Sequence, residues 1–214
     1  MSRTVSPVIY DELLDYIDDE NIDKVLQIFT EYNLTLHDHL HDSPRLSEDG
    51  EVMNTYLDYI LAHKLWVLLD FVIKNNYIQA DDHLLAKCIH SHCLDTYYYL
   101  IDNYPNIAIP LNECAKEATK MCYSDILDGI LSTQPESIES IQDDTIEYLF
   151  SFDIDEDTLE TVRVLFNHGI DGLLFERYMP HLKNGVNDDY FSIKEDNQDL
   201  VIELIDLLEN HFLD

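Results

Sequence analysis

Glycine and proline are scarce, at five and six residues in a chain of 214. Sandwiches and barrels need turn residues at most strand ends, so this shortage disfavours an all-β fold. Neither GxGxxG nor GxxxxGK occurs, which excludes the common glycine-rich phosphate loops. Basic side chains are also few. Twelve Lys and Arg stand against 44 Asp and Glu, for a net charge of −32. Phosphate repels such a surface, which argues against direct nucleic-acid binding and against an anionic membrane. The four cysteines, Cys88, Cys93, Cys114 and Cys122, are too sparse for a secreted disulfide scaffold. Met1 to Tyr10 lacks the apolar core of a signal peptide. The longest apolar stretch, Leu65 to Ile73, contains Asp70 and is too short to span a bilayer. These shortages together lead us to expect a soluble, intracellular protein.

What the chain does have is apolar residues, 46% of the total, enough for a sizeable core. They are ordered. An apolar-x-x-apolar-apolar pattern recurs at Val25, Ile28, Phe29; Leu69, Val72, Ile73; Tyr97, Leu100, Ile101; Leu127, Ile130, Leu131; Val162, Leu165, Phe166; and Val201, Leu204, Ile205. The i, i+3, i+4 spacing puts each trio on one helical face. Twelve positions before the leading residue of the first five trios lies another apolar position: Leu13, Leu57, Leu85, Ala115 and Phe150. That distance fits a short helix and a tight turn, so each unit reads as an antiparallel helix pair.

One pair cannot bury its own apolar face, whereas stacked pairs can. The expected fold is therefore all-α: a single domain over residues 1–214, a solenoid of about six stacked pairs. The units run approximately over 8–40, 51–79, 80–109, 110–137, 138–171 and 172–214. Ile28, Val72, Leu100, Ile130 and Leu165 should occupy equivalent buried positions. Pro7 is placed to start the first helix, Asp81 and Asp155 to cap helix N-termini, and Gly169 to end a helix. Pro105 and Pro135 should fall just past helix ends. No segment alternates with period two, so no sheet is expected. Thr35 to Gly50 reads as a surface loop, and 184–197 as an insertion before a last helix.

Thr161 to Asp171, with Asn167-His168-Gly169 inside it, resembles the second helix and turn of an ankyrin repeat. Leu13 to Phe29, turning at Glu20-Asn21, is similar to a first ankyrin unit. Leu111 to Leu131 resembles the divergent ankyrin repeats of giant DNA viruses of amoebae, and the 21 Ile against six Ala suit an AT-rich source. The resemblance implies protein binding through a concave face, no catalytic residues, and the host cytoplasm if the source is viral. The chain departs from the family in three ways. The Thr-Pro-Leu-His signature is missing, no glycine separates the paired helices, and spacings of 28 and 30 fall short of about 33. Hairpin fingers are therefore expected to be short or missing, and a non-ankyrin helical repeat is the alternative.

Several clusters invite a chemical reading. His37, His39 and His41 alternate, as ligands on an extended loop do, but no cysteine is near, and a polar loop explains them. His83, Cys88, His90, His92 and Cys93 crowd one pair, yet Cys88 shares the apolar face of Leu85 and Ile89. Asp153, Asp155 and Asp157 imitate a calcium loop, but Thr158 and Val164 stand where Gly and Glu are required. No metal, cofactor or catalytic centre is therefore expected, and the chain reads as a non-enzyme.

The charge is uneven. Residues 1–60 carry a net −11, residues 61–136 −5 and residues 137–214 −16. Consecutive Tyr97-Tyr98-Tyr99 point around a helix, so at least one ring lies outside the core. The expected function is a protein-interaction module for a basic partner, with Asp153, Asp155, Asp157 and Tyr98 as partner-binding candidates. The alternative is an acidic DNA mimic that blocks a nucleic-acid-binding protein.

Overall fold

The computed structural model describes residues 7–40, 45–46, 52–107, 110–151, 154–184 and 197–212. Apart from one very small strand ladder, its regular elements are helices. The chain divides into two compact units, 1–107 and 108–214, at a point close to the junction expected between the third and fourth helix pairs.

The first unit holds three pairs. They are α1 (Pro7–Asp18) with α2 (Ile22–Tyr32), α3 (Tyr56–Ala62) with α4 (Trp66–Lys74), and α5 (Asp82–His90) with α6 (Leu94–Asn103). The second unit begins with α7 (Asn112–Lys120) and α8 (Ser124–Thr133), followed by a 3-10 helix at Pro135–Ser140. The next pair is α9 (Asp143–Leu149) with α10 (Glu156–Asn167). Two short helices, α11 (Leu173–Glu176) and α12 (Met179–Asn184), precede the longer α13 (Gln198–Phe212), so the last unit is not a simple pair. The insertion read at 184–197 falls largely outside the described residues.

Four inter-helix turns share one backbone design. Glu20, Lys64, His92 and Cys122 all take φ between 48° and 59°, in the left-handed region. In each turn the N–H of that residue donates to a carbonyl three positions back, and the next N–H donates five positions back: Leu65 to Ile60, Cys93 to Cys88, Tyr123 to Ala118 and Asn21 to Tyr16. This Schellman pair of bonds satisfies carbonyls that a helix end leaves open. It also reverses the chain within three residues, which sets the second helix antiparallel to the first. Glycine is the usual occupant of that position, and here a side chain sits in all four.

Ile28, Val72, Leu100, Ile130 and Leu165 are all buried, as are Leu13, Leu57, Leu85, Ala115 and Phe150. Asp81 and Asp155 accept bonds from the N–H of Leu84 and Thr158 as N-caps, and Gly169 ends α10 at φ 82°. Tyr104 (φ −125°, ψ 65°) and Gln134 (φ −139°, ψ 73°) leave the helical region, which a following proline disfavours, and they stop α6 and α8.

Within each unit, neighbouring pairs are tied in chain order. The Tyr59 hydroxyl donates to Asp18 at 2.8 Å, and the Leu68 N–H to Glu20 at 2.8 Å. The Thr96 hydroxyl donates to the Leu61 carbonyl at 2.8 Å, and Trp66 stacks on Tyr99 with centroids 4.9 Å apart. In the second unit α7 packs on α9, α8 on α10, and α10 on α13. Phe150 lies against Phe175 and Tyr178, and Arg163 bonds Glu203.

Two expectations need correction. A short ladder does form: Arg45–Leu46 (β1) pairs antiparallel with Val52–Met53 (β2), and His39 bridges Thr55. The segment read as a loop at Thr35 to Gly50 is not all surface, because Leu36 and Leu40 are buried. Their backbones bond the stretch from β2 into α3, with the Leu40 N–H donating to Asn54 and the Leu57 N–H to Leu36. The first inter-pair connection thus contains an antiparallel hairpin. Its paired runs are too short to show as alternation.

Asp58 is 5% exposed, caps α3 through the N–H groups of Asn54 and Thr55, and is ion-paired with Lys87 of α5. Burial raises its carboxyl pKa, but the Lys87 ammonium and the cap bonds outweigh burial and leave it below the ordinary value. Lys87→Met should therefore cost about 3 kcal/mol, read as a lowered urea midpoint, because it strands a buried charge. The carboxylate's contribution is complete above the unfolded-state value of about 3.9 and is lost as pH falls through the lower folded value. The difference between wild type and Lys87→Met should accordingly shrink in acid. His92→Gly, at the left-handed turn, should stabilise by about 1 kcal/mol and raise the melting midpoint by about 2–4 °C.

Candidate functional site

Of the four residues the sequence nominated, Asp153 lies outside the described residues. Asp155 is the N-cap of α10, where its carboxylate accepts from the Thr158 N–H and hydroxyl, both at 2.9 Å. Asp157 is exposed in the first turn of the same helix. Tyr98 is 50% exposed on α6, with its ring edge-on to Tyr97 at 5.3 Å. The aspartates belong to the second unit and Tyr98 to the first. Tyr97 is buried and Tyr99 half-buried, so the three consecutive tyrosines split between core and surface.

The histidine readings gain no ligand geometry. His37 and His39 are exposed, and His41 lies outside the described residues. Cys88 and Cys93 are buried, and burial pushes the Cys88 thiol well above its usual range. Among the described residues, no group of three or more His, Cys, Asp or Glu side chains is placed to hold a metal ion.

The acidic stretch from Asp143 to Glu160 reads as unbroken in sequence, with eight carboxylates and no Lys or Arg. The fold breaks it up. Arg177 reaches Asp143 and Glu147, the latter at 3.1 Å, and Arg163 bonds Glu160 at 3.0 Å. Asp155 is committed to its cap. Glu156 and Asp157 remain exposed at the helix start, where a carboxylate also complements the macrodipole.

Two adjoining cavities in the first unit were not foreseen from the sequence. The larger, about 500 Å³, runs between α2 and α4. Leu26, Phe29, Leu36, Leu68, Val72 and Tyr77 give it a mostly apolar lining. The smaller, about 410 Å³, has a mixed lining, with Asn76, Gln79, Asp81, His83 and Lys87 beside Leu57, Ile78 and Leu84. Both include His37 and Tyr77. Tyr77 is 57% exposed and stacks on Phe71 at 6.2 Å. Each lining residue taken singly reads as ordinary helix or turn. Only the meeting of two pairs makes the groove.

A second unforeseen cluster centres on Asp70. Its carboxylate accepts from the Tyr99 hydroxyl at 2.9 Å, the Tyr104 hydroxyl at 2.6 Å and the Lys74 ammonium at 2.6 Å. Burial and then Asp70 push the Tyr99 phenol up to about 12. Burial also raises the Asp70 carboxyl, but the three donors win and hold it below its usual range. At neutral pH the aspartate is charged and both phenols are neutral donors. That arrangement ties α4 to the end of α6 and leaves no activated nucleophile.

No known protein family, curated protein or solved structure matches this chain.

The capping role of Asp155 is separable from its charge. Asp155→Ala should cost about 1 kcal/mol in denaturant titrations, whereas Asp155→Asn, which keeps an accepting oxygen, should cost a few tenths at most.

Proposed function

We propose that the chain is a non-enzymatic interaction module built from ankyrin-like helix pairs, and that it binds a basic region of another protein. The observation that carries this reading is a net charge of −32 on a scaffold whose cations are largely spent on internal pairs. Lys64 meets Asp95, Lys87 meets Asp58, Lys116 meets Glu113, Lys120 meets Glu117 and Arg177 meets Glu147. The unmatched carboxylates dominate the field felt by an approaching partner, and that field accelerates encounter with positive surfaces. The repeated left-handed turns and the in-order packing within each unit support the ankyrin-like reading. So does Gly169 at the end of α10, in the stretch that resembles the family.

The test has two stages. The chain is immobilised, partners are captured from source cells and identified, and the tightest binder is titrated in solution. Between about 0.1 M and 1 M salt the Debye length contracts from about 10 to about 3 Å. Affinity should fall by about tenfold or more over that range, chiefly through a slower on-rate. Replacing Asp153, Asp155 and Asp157 together with Asn should weaken binding and leave the melting midpoint within a few degrees, because Asn still caps α10. An affinity that stays flat across salt would show that the acidity serves solubility alone.

A further inference from the structure

We propose that the apolar groove between α2 and α4, with the recess of mixed lining that adjoins it at His37 and Tyr77, is the docking site for a cationic amphipathic segment of the partner. This rests on the reading of the chain as an acidic interaction module and gives that reading a location. The two cavities, about 500 and 410 Å³, share two lining residues and so form one tract within the first unit. Its apolar part offers the half-buried Leu26, Phe29 and Leu34 to apolar side chains, over a floor of buried Leu68 and Val72. Its mixed part has the exposed Tyr77 and Asp81 in one lining, a combination that suits a lysine or arginine head group through cation–π and ionic attraction.

Charge selects among the occupants. Glu20 caps the N–H of Leu68 at the head of α4, and Asp23 precedes Leu26 by one turn on α2. Asp38 holds the Thr35 end of the turn that closes the groove, and Asp81 lines the recess. The one lysine in the lining, Lys87, is paired with the buried Asp58, so its charge is offset in place. An anionic ligand meets repulsion along this tract. A second copy of the chain, also at −32, meets it over its whole surface. A segment with apolar side chains on one face and Lys or Arg alongside matches both halves, in the manner of a helix laid into a groove.

The experiment uses the isotopically labelled full-length chain and two synthetic peptides of equal charge, one of Leu and Lys in amphipathic order and one with Ser in place of Leu. The Leu–Lys peptide should bind more tightly and shift the amide resonances of Leu26, Thr30, Leu68, Val72 and Tyr77. Tyr77→Ala should weaken it about tenfold, and Thr30→Trp, which fills the groove mouth, by at least as much. Glu139→Gln, an exposed position on the 3-10 helix of the other unit, should leave it within about twofold. If Thr30→Trp does not fold, the resonance map and Tyr77→Ala decide the matter. Equal affinity for the two peptides, or shifts confined to residues 143–160, would overturn the groove site while leaving the acidic module standing. A peptide-independent dimer that Thr30→Trp dissolves would overturn it in favour of a second copy. Failure of both peptides to bind at low salt would remove the module reading as well.

Discussion

Every helix from α1 to α10 is short, between seven and twelve residues, and such a helix is marginal by itself in water. Its helicity depends on an apolar stripe being covered by a neighbour. The left-handed turn makes that cover possible, because it reverses the chain within three residues and fixes the angle at which two stripes meet. Four side chains accept an unfavourable backbone conformation to achieve this, at roughly 1–2 kcal/mol each. The inter-pair bonds follow from the same geometry. Thr96 reaches the Leu61 carbonyl, which already accepts from the Lys64 N–H in the turn and takes the hydroxyl as a further donor.

The sequence made legible what depends on local period and local chemistry. The i, i+3, i+4 trios located the second helices, and the offset of 12 located the first. Asp81, Asp155, Pro7 and Gly169 marked ends by the chemistry of capping. What stayed hidden was what depends on partners far along the chain. Glu20, Lys64, His92 and Cys122 carry no mark of the left-handed region, because such positions are read from glycine and none is there. The ladder at Arg45–Leu46 is two residues long, below the length at which alternation can be seen. Lys87 finds Asp58, and Tyr99 finds Asp70, 29 positions away in each case. At the site, the run of three tyrosines did announce an exposed ring. The groove did not announce itself, since Leu26 and Phe29 look like any core-facing residues in sequence and only the fold leaves them half-buried.

Scarcity of cations shapes the surface as much as abundance of anions. An exposed ion pair contributes at most about 1 kcal/mol, so the pairs at Lys64 and Arg163 do little for stability individually. Their effect is on the field. Each removes one carboxylate from the set a partner can feel, and with 12 cations for 44 anions the remainder is large. The stretch from Asp143 to Glu160 illustrates the sorting. Asp143, Glu147 and Glu160 are drawn to arginines, Asp155 to a helix end, and Glu156 and Asp157 face solvent. Runs of like charge in a sequence therefore overstate the local field of the folded chain.

Long-range charge and a short-range groove answer different physical needs. Screened attraction acts over about a Debye length and carries little information about which cationic surface arrives. Discrimination requires desolvated contacts, and these need apolar surface held open in the free protein. Open apolar surface ordinarily invites self-association. A net charge of −32 opposes that outcome, since two copies must bring like fields together before their grooves can touch. On the proposed reading, the acidity that would draw a basic partner also opposes self-association through the apolar edge formed by Leu26, Phe29 and Leu34. Acidity and groove would then be two parts of one arrangement, because without the charge the same apolar surface would favour aggregation over recognition.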